Sequence, residues 1–171
     1  HERDPSKRQP QRVVTHFQAR RRTLPRWEAA SRTYSLRMSV SEARQEDLTT
    51  PAIAEIVRSS LHHQDGRRYT LHFYNITSTH VHLVLAPLSR GTGSIPLPEI
   101  THALKSYTAH QINKLVGADG QFWLDEGYNR IIRCREEYLD WYNYIRLNPC
   151  KAGLVDHPDD WPYWWERPPD E

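Results

Sequence analysis

The chain has 171 residues, 26% charged and 37% hydrophobic, with 6 Trp and 9 Tyr. That length suits one domain with a real core, and the aromatic content argues against simple disorder. No apolar run approaches the ~20 residues that cross a bilayer, and no signal-peptide apolar stretch opens the chain, so a cytoplasmic protein with no membrane partner is expected. Cys134 and Cys150 form neither a disulfide framework nor a zinc-ligand spacing, which fits a reduced compartment. The net charge is only +2, but residues 1–30 carry eight Lys/Arg against three acids, while Asp156 to Glu171 holds six acids and only Arg167 among Lys/Arg. A basic arm on a near-neutral body suits an anionic partner such as nucleic acid. A solvated tail fits the same charge.

Residues 1–30 hold Pro5, Pro10 and Pro25 and little periodicity, and read as a flexible arm. Tyr34, Leu36, Met38 and Val40 then alternate with polar neighbours, the period of a half-buried strand. Pro51 opens a helix carrying Ile53, Ile56, Val57 and Leu61, and Asp65-Gly66 ends it. Tyr69 to Ile76 is a second strand, with Tyr69, Leu71, Phe73 and Asn75 on one face and Thr70, His72, Tyr74 and Ile76 on the other. Ser78-Thr79 turns into a third strand, His80 to Ala86, stopped by Pro87. Leu97 to Val116 is helical, with a stripe through Ile100, Leu104, Tyr107 and Gln111. Phe122-Trp123 and Tyr128 to Arg133 are short extended segments. Glu136 to Asn148 is a last helix with an apolar stripe of Tyr138, Trp141, Tyr142 and Ile145, ended by Pro149 and Gly153. The order β-α-β-β-α, then short strands, then α, indicates an α+β fold with a ferredoxin-like antiparallel sheet.

Two features carry chemistry. His80 and His82, at i and i+2 on a strand, project to one face and can share a divalent cation. Two ordinary strand histidines fit the same spacing. Tyr144 lies one helical turn from Asp140 and one from Asn148, off the apolar stripe. There a hydroxyl can act as nucleophile and the Asn148 amide as a neutral oxygen ligand. A core-edge tyrosine is the plainer alternative. Tyrosine attack on a phosphodiester conserves the bond energy as phosphotyrosine, so rejoining needs no ATP. Two His and an amide oxygen accept Mg²⁺ or Mn²⁺.

Tyr107 and Tyr128 are rival nucleophiles with structural alternatives. His72 reads as a ligand from the next strand or as a satisfied sheet residue, and His62-His63 as complements to a helix C-terminus. Lys105, Arg130 and Arg133 are candidate phosphate contacts, as are Arg20, Arg21 and Arg22 for a groove or hairpin backbone. Trp161, Trp164 and Trp165 stack on unpaired bases or clasp the domain.

Several segments in order resemble the single-tyrosine HUH transposases, in the branch of REP-associated tyrosine transposases. They are Tyr34-Ser-Leu-Arg37, Thr79-His-Val-His-Leu-Val-Leu85, Leu104-Lys-Ser-Tyr107, the stretch from Phe122 to Arg133, the stretch from Tyr144 to Val155, and Asp160-Trp-Pro-Tyr163. Together they span about residues 32–165, implying an arm over 1–30, a catalytic domain over 31–165 and an acidic tail over 166–171. The resemblance implies the HUH fold, His80, His82 and Asn148 as ligands of Mg²⁺ or Mn²⁺, and Tyr144 as the nucleophile. It implies an enzyme that cuts and rejoins single-stranded DNA beside hairpins through a 5′-phosphotyrosine, as monomer or homodimer, in a bacterial cytoplasm at the nucleoid. A catalytically silent, domesticated hairpin-binding protein is the alternative. A metal-dependent hydrolase using water is a third. The chain departs from the family pattern in having Thr77-Ser-Thr79 before the first His, and Trp164-Trp165 after the Asp-Trp-Pro motif.

Overall fold

The computed structural model describes residues 32–169; the arm over 1–30, with Arg20, Arg21 and Arg22, and the last two tail residues lie outside them. The strands and helices are β1 (Thr33–Ser39), α1 (Pro51–Gln64), β2 (Tyr69–Ile76), β3 (His80–Pro87), β4 (Ser89–Arg90), β5 (Gly93–Ser94), α2 (Leu97–Val116), β6 (Tyr128–Ile132), α3 (Arg135–Lys151) and β7 (Trp164–Glu166). Five strands form one antiparallel sheet in the order β6-β1-β3-β2-β7, while β4 and β5 pair as a separate small ribbon. The fold is α+β, as the order of elements predicts.

Both sheet faces are covered. Ile53, Val57 and Leu61 of α1 and Ile100, Leu104 and Ile112 of α2 pack with Leu36, Met38, Leu83 and Leu85 on one face. Tyr138, Trp141, Tyr142 and Ile145 of α3 pack with Phe73, Val84 and Ile132 on the other. The aromatic side chains of this second core meet edge-on, Phe73 standing 5.5 Å from Tyr138 and 5.2 Å from Tyr142 between ring centroids. Such offset contacts suit the ring quadrupoles.

Three expectations are corrected. The uninterrupted alternation in β2 is broken by a bulge: Leu71 pairs with Leu85 but Phe73 pairs with Val84, leaving His72 extra. Tyr74 and Ile76 therefore join Tyr69 and Leu71 against α1 and α2, while Phe73 faces α3. The buried stripe of α2 is Ile100, Leu104, Thr108 and Ile112, so Tyr107 faces out and is 52% exposed. Thr108 is tolerated inside because its hydroxyl donates to Leu104 O at 2.7 Å and accepts from Trp123 Nε1 at 2.8 Å. Finally, α3 does not stop at Pro149 but runs to Lys151. Pro149 removes one helical donor, and the carbonyl that loses it, Ile145 O, accepts instead from Asn75 Nδ2 at 3.0 Å.

The three tryptophans near the C-terminus form a clasp. Trp164 stacks on Phe73 at 5.5 Å, and Trp165 meets His62 edge-on at 4.6 Å. Trp161 Nε1 donates to Ile76 O at 3.2 Å. Arg146, buried in α3, donates to Pro158 O and Asp159, holding the return segment down. The folded body extends past residue 165. Glu166 belongs to β7 and accepts from the Tyr142 hydroxyl, and Arg167 binds Leu71 O and the Asp65 carboxylate.

His72 fills the bulge. Its Nδ1 lies 2.9 Å from the Tyr138 hydroxyl, and the residue is buried, so it is a satisfied sheet histidine rather than a ligand. Burial, aided by Arg167 and opposed by Asp65, lowers its pKa to about 4. The unfolded chain therefore takes up the proton first as pH falls. The stabilisation is complete above pH ~6.5 and is lost progressively down to pH ~4, by at most about 3 kcal/mol for this group. Urea denaturation between pH 7 and 4 should show this slope in the wild type and a shallower one in His72→Asn.

Candidate active site

One line of side chains crosses the sheet beneath α3. Tyr128 of β6 pairs with Arg37 of β1, Arg37 with His82 of β3, His82 with Asn75 of β2, and Asn75 with Trp164 of β7. Residues directly opposite in an antiparallel pair share a face. His80 lies two residues from His82 on the same face, opposite Ser39, and the two rings are 5.3 Å apart. The His-x-His spacing thus does bring both imidazoles together.

α3 supplies the rest. The Tyr144 ring stands 6.1 Å from His82 and 5.9 Å from Trp141, and Trp141 stands 6.2 Å from His82. Tyr144 is half-buried at the edge of the aromatic core, so its immediate neighbours include rings as well as the polar residues its spacing implies. The other two tyrosines of α3 are committed elsewhere, Tyr138 to His72 and Tyr142 to Glu166. Burial raises both of their pKa values and disfavours a phenolate. Asn148 follows Tyr144 by one turn, about 6 Å along the axis, and is half-buried.

The histidine pair is held in the neutral form. Burial first, then the Arg37 cation, lowers His80 to about 4; burial, His80 and Arg37 hold His82 well below the ordinary value. Both are neutral at physiological pH, the form that ligates metal. Thr77 Oγ1 lies 3.0 Å from both His80 O and His80 Nδ1. A hydroxyl that donates to His80 O and accepts from Nδ1–H leaves the Nε2 lone pair free, the arrangement typical of ligating histidines. Thr77 and Thr79, the departure from the family pattern, thus serve the His80 ring; Thr79 Oγ1 lies 3.2 Å from the same nitrogen. Among the described residues no third His, Cys, Asp or Glu completes a cluster with them.

The candidate phosphate contacts divide. Arg130 lies opposite Ser35, on the sheet face that Arg37 shares, and with Arg133, Glu137, Asp140 and Trp141 it lines a cleft of about 380 Å³. Lys105 is half-buried and donates to Leu124 O at 2.8 Å, tying α2 to the segment before β6. Burial lowers its pKa, with Asp125 opposing. Tyr128 is 37% exposed at the open end of the line. His62 lies 3.0 Å from the Tyr74 hydroxyl through Nε2, a packing role in addition to its place at the end of α1.

Arg37 and Asn75 belong to the line as well, outside the motifs of the sequence. Arg37 was signalled by the alternation of β1, which places it opposite Leu36 and Met38 and so beside His82. Its buried Nε has no partner among the described residues. Asn75 had no usable signal, because its face depends on the bulge.

This is an α+β architecture with a tyrosine-bearing helix laid over a His-x-His strand. A REP-associated tyrosine transposase, solved bound to a REP hairpin, has the same fold: TM-score 0.65, 19% identity, covering 86% of this chain and 82% of that one. A protein from Deinococcus radiodurans R1 proposed to be a transposase aligns at TM-score 0.47 and 18% identity over 71% of this chain and 93% of that one. The sequence matches no protein-family model and no curated protein. No helix among the described residues is long and apolar enough to cross a membrane.

Proposed function

We propose that the chain is a metal-dependent, single-tyrosine transposase of the REP-associated branch, which cuts and rejoins single-stranded DNA beside hairpins. The observation that carries this reading is the Tyr144 ring seated against His82, itself against His80, on the sheet face that α3 covers. The shared fold with a hairpin-bound tyrosine transposase supports it.

In this reading Tyr144 Oη attacks a backbone phosphorus. The O–P bond to the 3′-oxygen breaks, a 5′-phosphotyrosyl bond forms, and the phenolic proton is balanced on the released 3′-hydroxyl. Reversal with another 3′-hydroxyl rejoins the strand. His80, His82 and Asn148 would hold Mg²⁺ or Mn²⁺, which when bound would polarise the phosphoryl oxygens. Arg37, paired with His82 across β1 and β3 and with its Nε buried, meets the charge that grows on those oxygens. Arg130 and Arg133 take flanking phosphates along the cleft that begins at Trp141. Arg20, Arg21 and Arg22 add charge for the hairpin backbone.

The test is a labelled single-stranded hairpin DNA incubated with the full chain and Mn²⁺, followed by denaturing electrophoresis. A covalent protein–DNA adduct, abolished by chelation, is expected. Tight hairpin binding with no cleavage of the host's own palindromes would instead make the protein a binder. Arg37→Met should lower the rate of adduct formation by about 10²-fold. Hairpin affinity, measured by anisotropy, should change far less.

A further inference from the structure

Asn75 belongs to none of the motifs above, yet it touches both halves of the site. It is 1% exposed and pairs directly with His82 across β2 and β3. Its Nδ2 donates at 3.0 Å to Ile145 O, the carbonyl that Pro149 leaves without a helical donor. Ile145 follows Tyr144 directly. One amide therefore pins the nucleophile's turn of α3 to the strand beside the histidines.

The other end of that amide is the telling part. Asn75 Oδ1 is buried and has no hydrogen-bond partner among the described residues. Native proteins leave few such atoms, and each one calls for an occupant. His80 has hydroxyls from Thr77 and Thr79 at its Nδ1. The residue set directly opposite His82 on β2 is Asn75, and Cβ atoms so paired lie about 4.5–5.5 Å apart. An amide oxygen and an Nδ1–H both sit low on their side chains, at a similar height above the sheet.

We propose that Asn75 is a positioning residue with two bonds to make: Nδ2 holds α3 at Ile145, and Oδ1 accepts the Nδ1–H of His82, leaving His82 Nε2 to face the cation. Each histidine of the pair then has its own oxygen behind it. The inference deepens the proposed reading of His80 and His82 as ligands and rests on it. Losing such an outer partner weakens metal binding by about 10–100-fold.

The test uses two variants of the full chain and two readouts that need no DNA cleavage. Asn75→Leu removes both bonds. Asn75→Leu combined with Pro149→Ala supplies a backbone N–H at position 149 that can return to Ile145 O, restoring the helix but not the acceptor. Long-range ¹H–¹⁵N NMR reads the His82 tautomer, and EPR titration reads Mn²⁺ affinity. Expected are an Nδ1–H tautomer in the wild type, a shift toward Nε2–H in both variants, and a fall of about 10-fold or more in Mn²⁺ affinity in both. The double variant should regain most of the lost thermal stability. A wild-type His82 in the Nε2–H form overturns the proposal. So does a double variant with wild-type Mn²⁺ affinity, which would leave Asn75 a purely structural tie. A wild type that takes up no Mn²⁺ counts instead against the metal reading of the pair, and the tautomer still decides the Asn75–His82 bond.

Discussion

Tyr144→Phe should abolish the covalent adduct and slow strand cleavage by about 10⁴-fold or more, the scale on which enzymes respond to loss of their nucleophile. The fold should be unaffected. Phe keeps the ring that packs against His82 and Trp141, and the position is half-buried, so stability should shift by less than about 0.5 kcal/mol. Tyr107→Phe and Tyr128→Phe should retain full adduct formation. Both are exposed, but Tyr107 lies on α2 across the sheet from the histidines, and Tyr128 is separated from His82 by Arg37. Tyr138→Phe and Tyr142→Phe act on hydroxyls already bonded to His72 and Glu166, so they should cost stability rather than chemistry. The measurement is denaturing electrophoresis of labelled hairpin DNA with each variant, next to its thermal melt. Cleavage that persists in Tyr144→Phe without any adduct would show water as the nucleophile and sink the tyrosine mechanism.

The sequence made some of this site legible and hid the rest for identifiable reasons. His80 and His82 were readable because β3 is a plain strand and period two decides which side chains share a face. Tyr144 and Asn148 are legible as helix neighbours, but Tyr144 is not legible as a neighbour of His82, because that contact depends on where α3 docks. The bulge at His72 was invisible for another reason. The second strand is buried on both faces, so Tyr69 to Ile76 offers apolar residues at every phase and no register. That hid Asn75, whose face is set by the extra residue. The stripe of α2 was misplaced by one residue because Thr108 looks polar, although its hydroxyl is bonded within the core. Pro149 looks like a stop because a helix-interior proline usually costs ~3 kcal/mol or more. A side chain from another element satisfies the freed carbonyl, and no local pattern announces that.

The second large effect concerns how the site is assembled rather than its chemistry. Phe73→Ala should destabilise the protein by about 3–5 kcal/mol, the usual cost of deleting a buried aromatic ring. Phe73 is fully buried, and it meets Tyr138, Tyr142 and Trp164, the side chains through which α3 and β7 grip the sheet. The loss should fall unevenly. α1 and α2 are seated on the opposite face by a separate core, so native-state hydrogen exchange should show α3 losing protection ahead of them. Tyr144 rides on α3 while His80 and His82 ride on the sheet. Partial undocking therefore separates nucleophile from histidines while most of the molecule stays folded. Leu104→Ala is the matching control on the α2 side, with an expected cost of about 2–5 kcal/mol. At a temperature where both variants remain mostly native, adduct formation should fall more in Phe73→Ala than its unfolded fraction accounts for. In Leu104→Ala it should track the folded fraction. Equal behaviour of the two would mean that the cores melt as one unit, and that the docking of α3 is not separately adjustable.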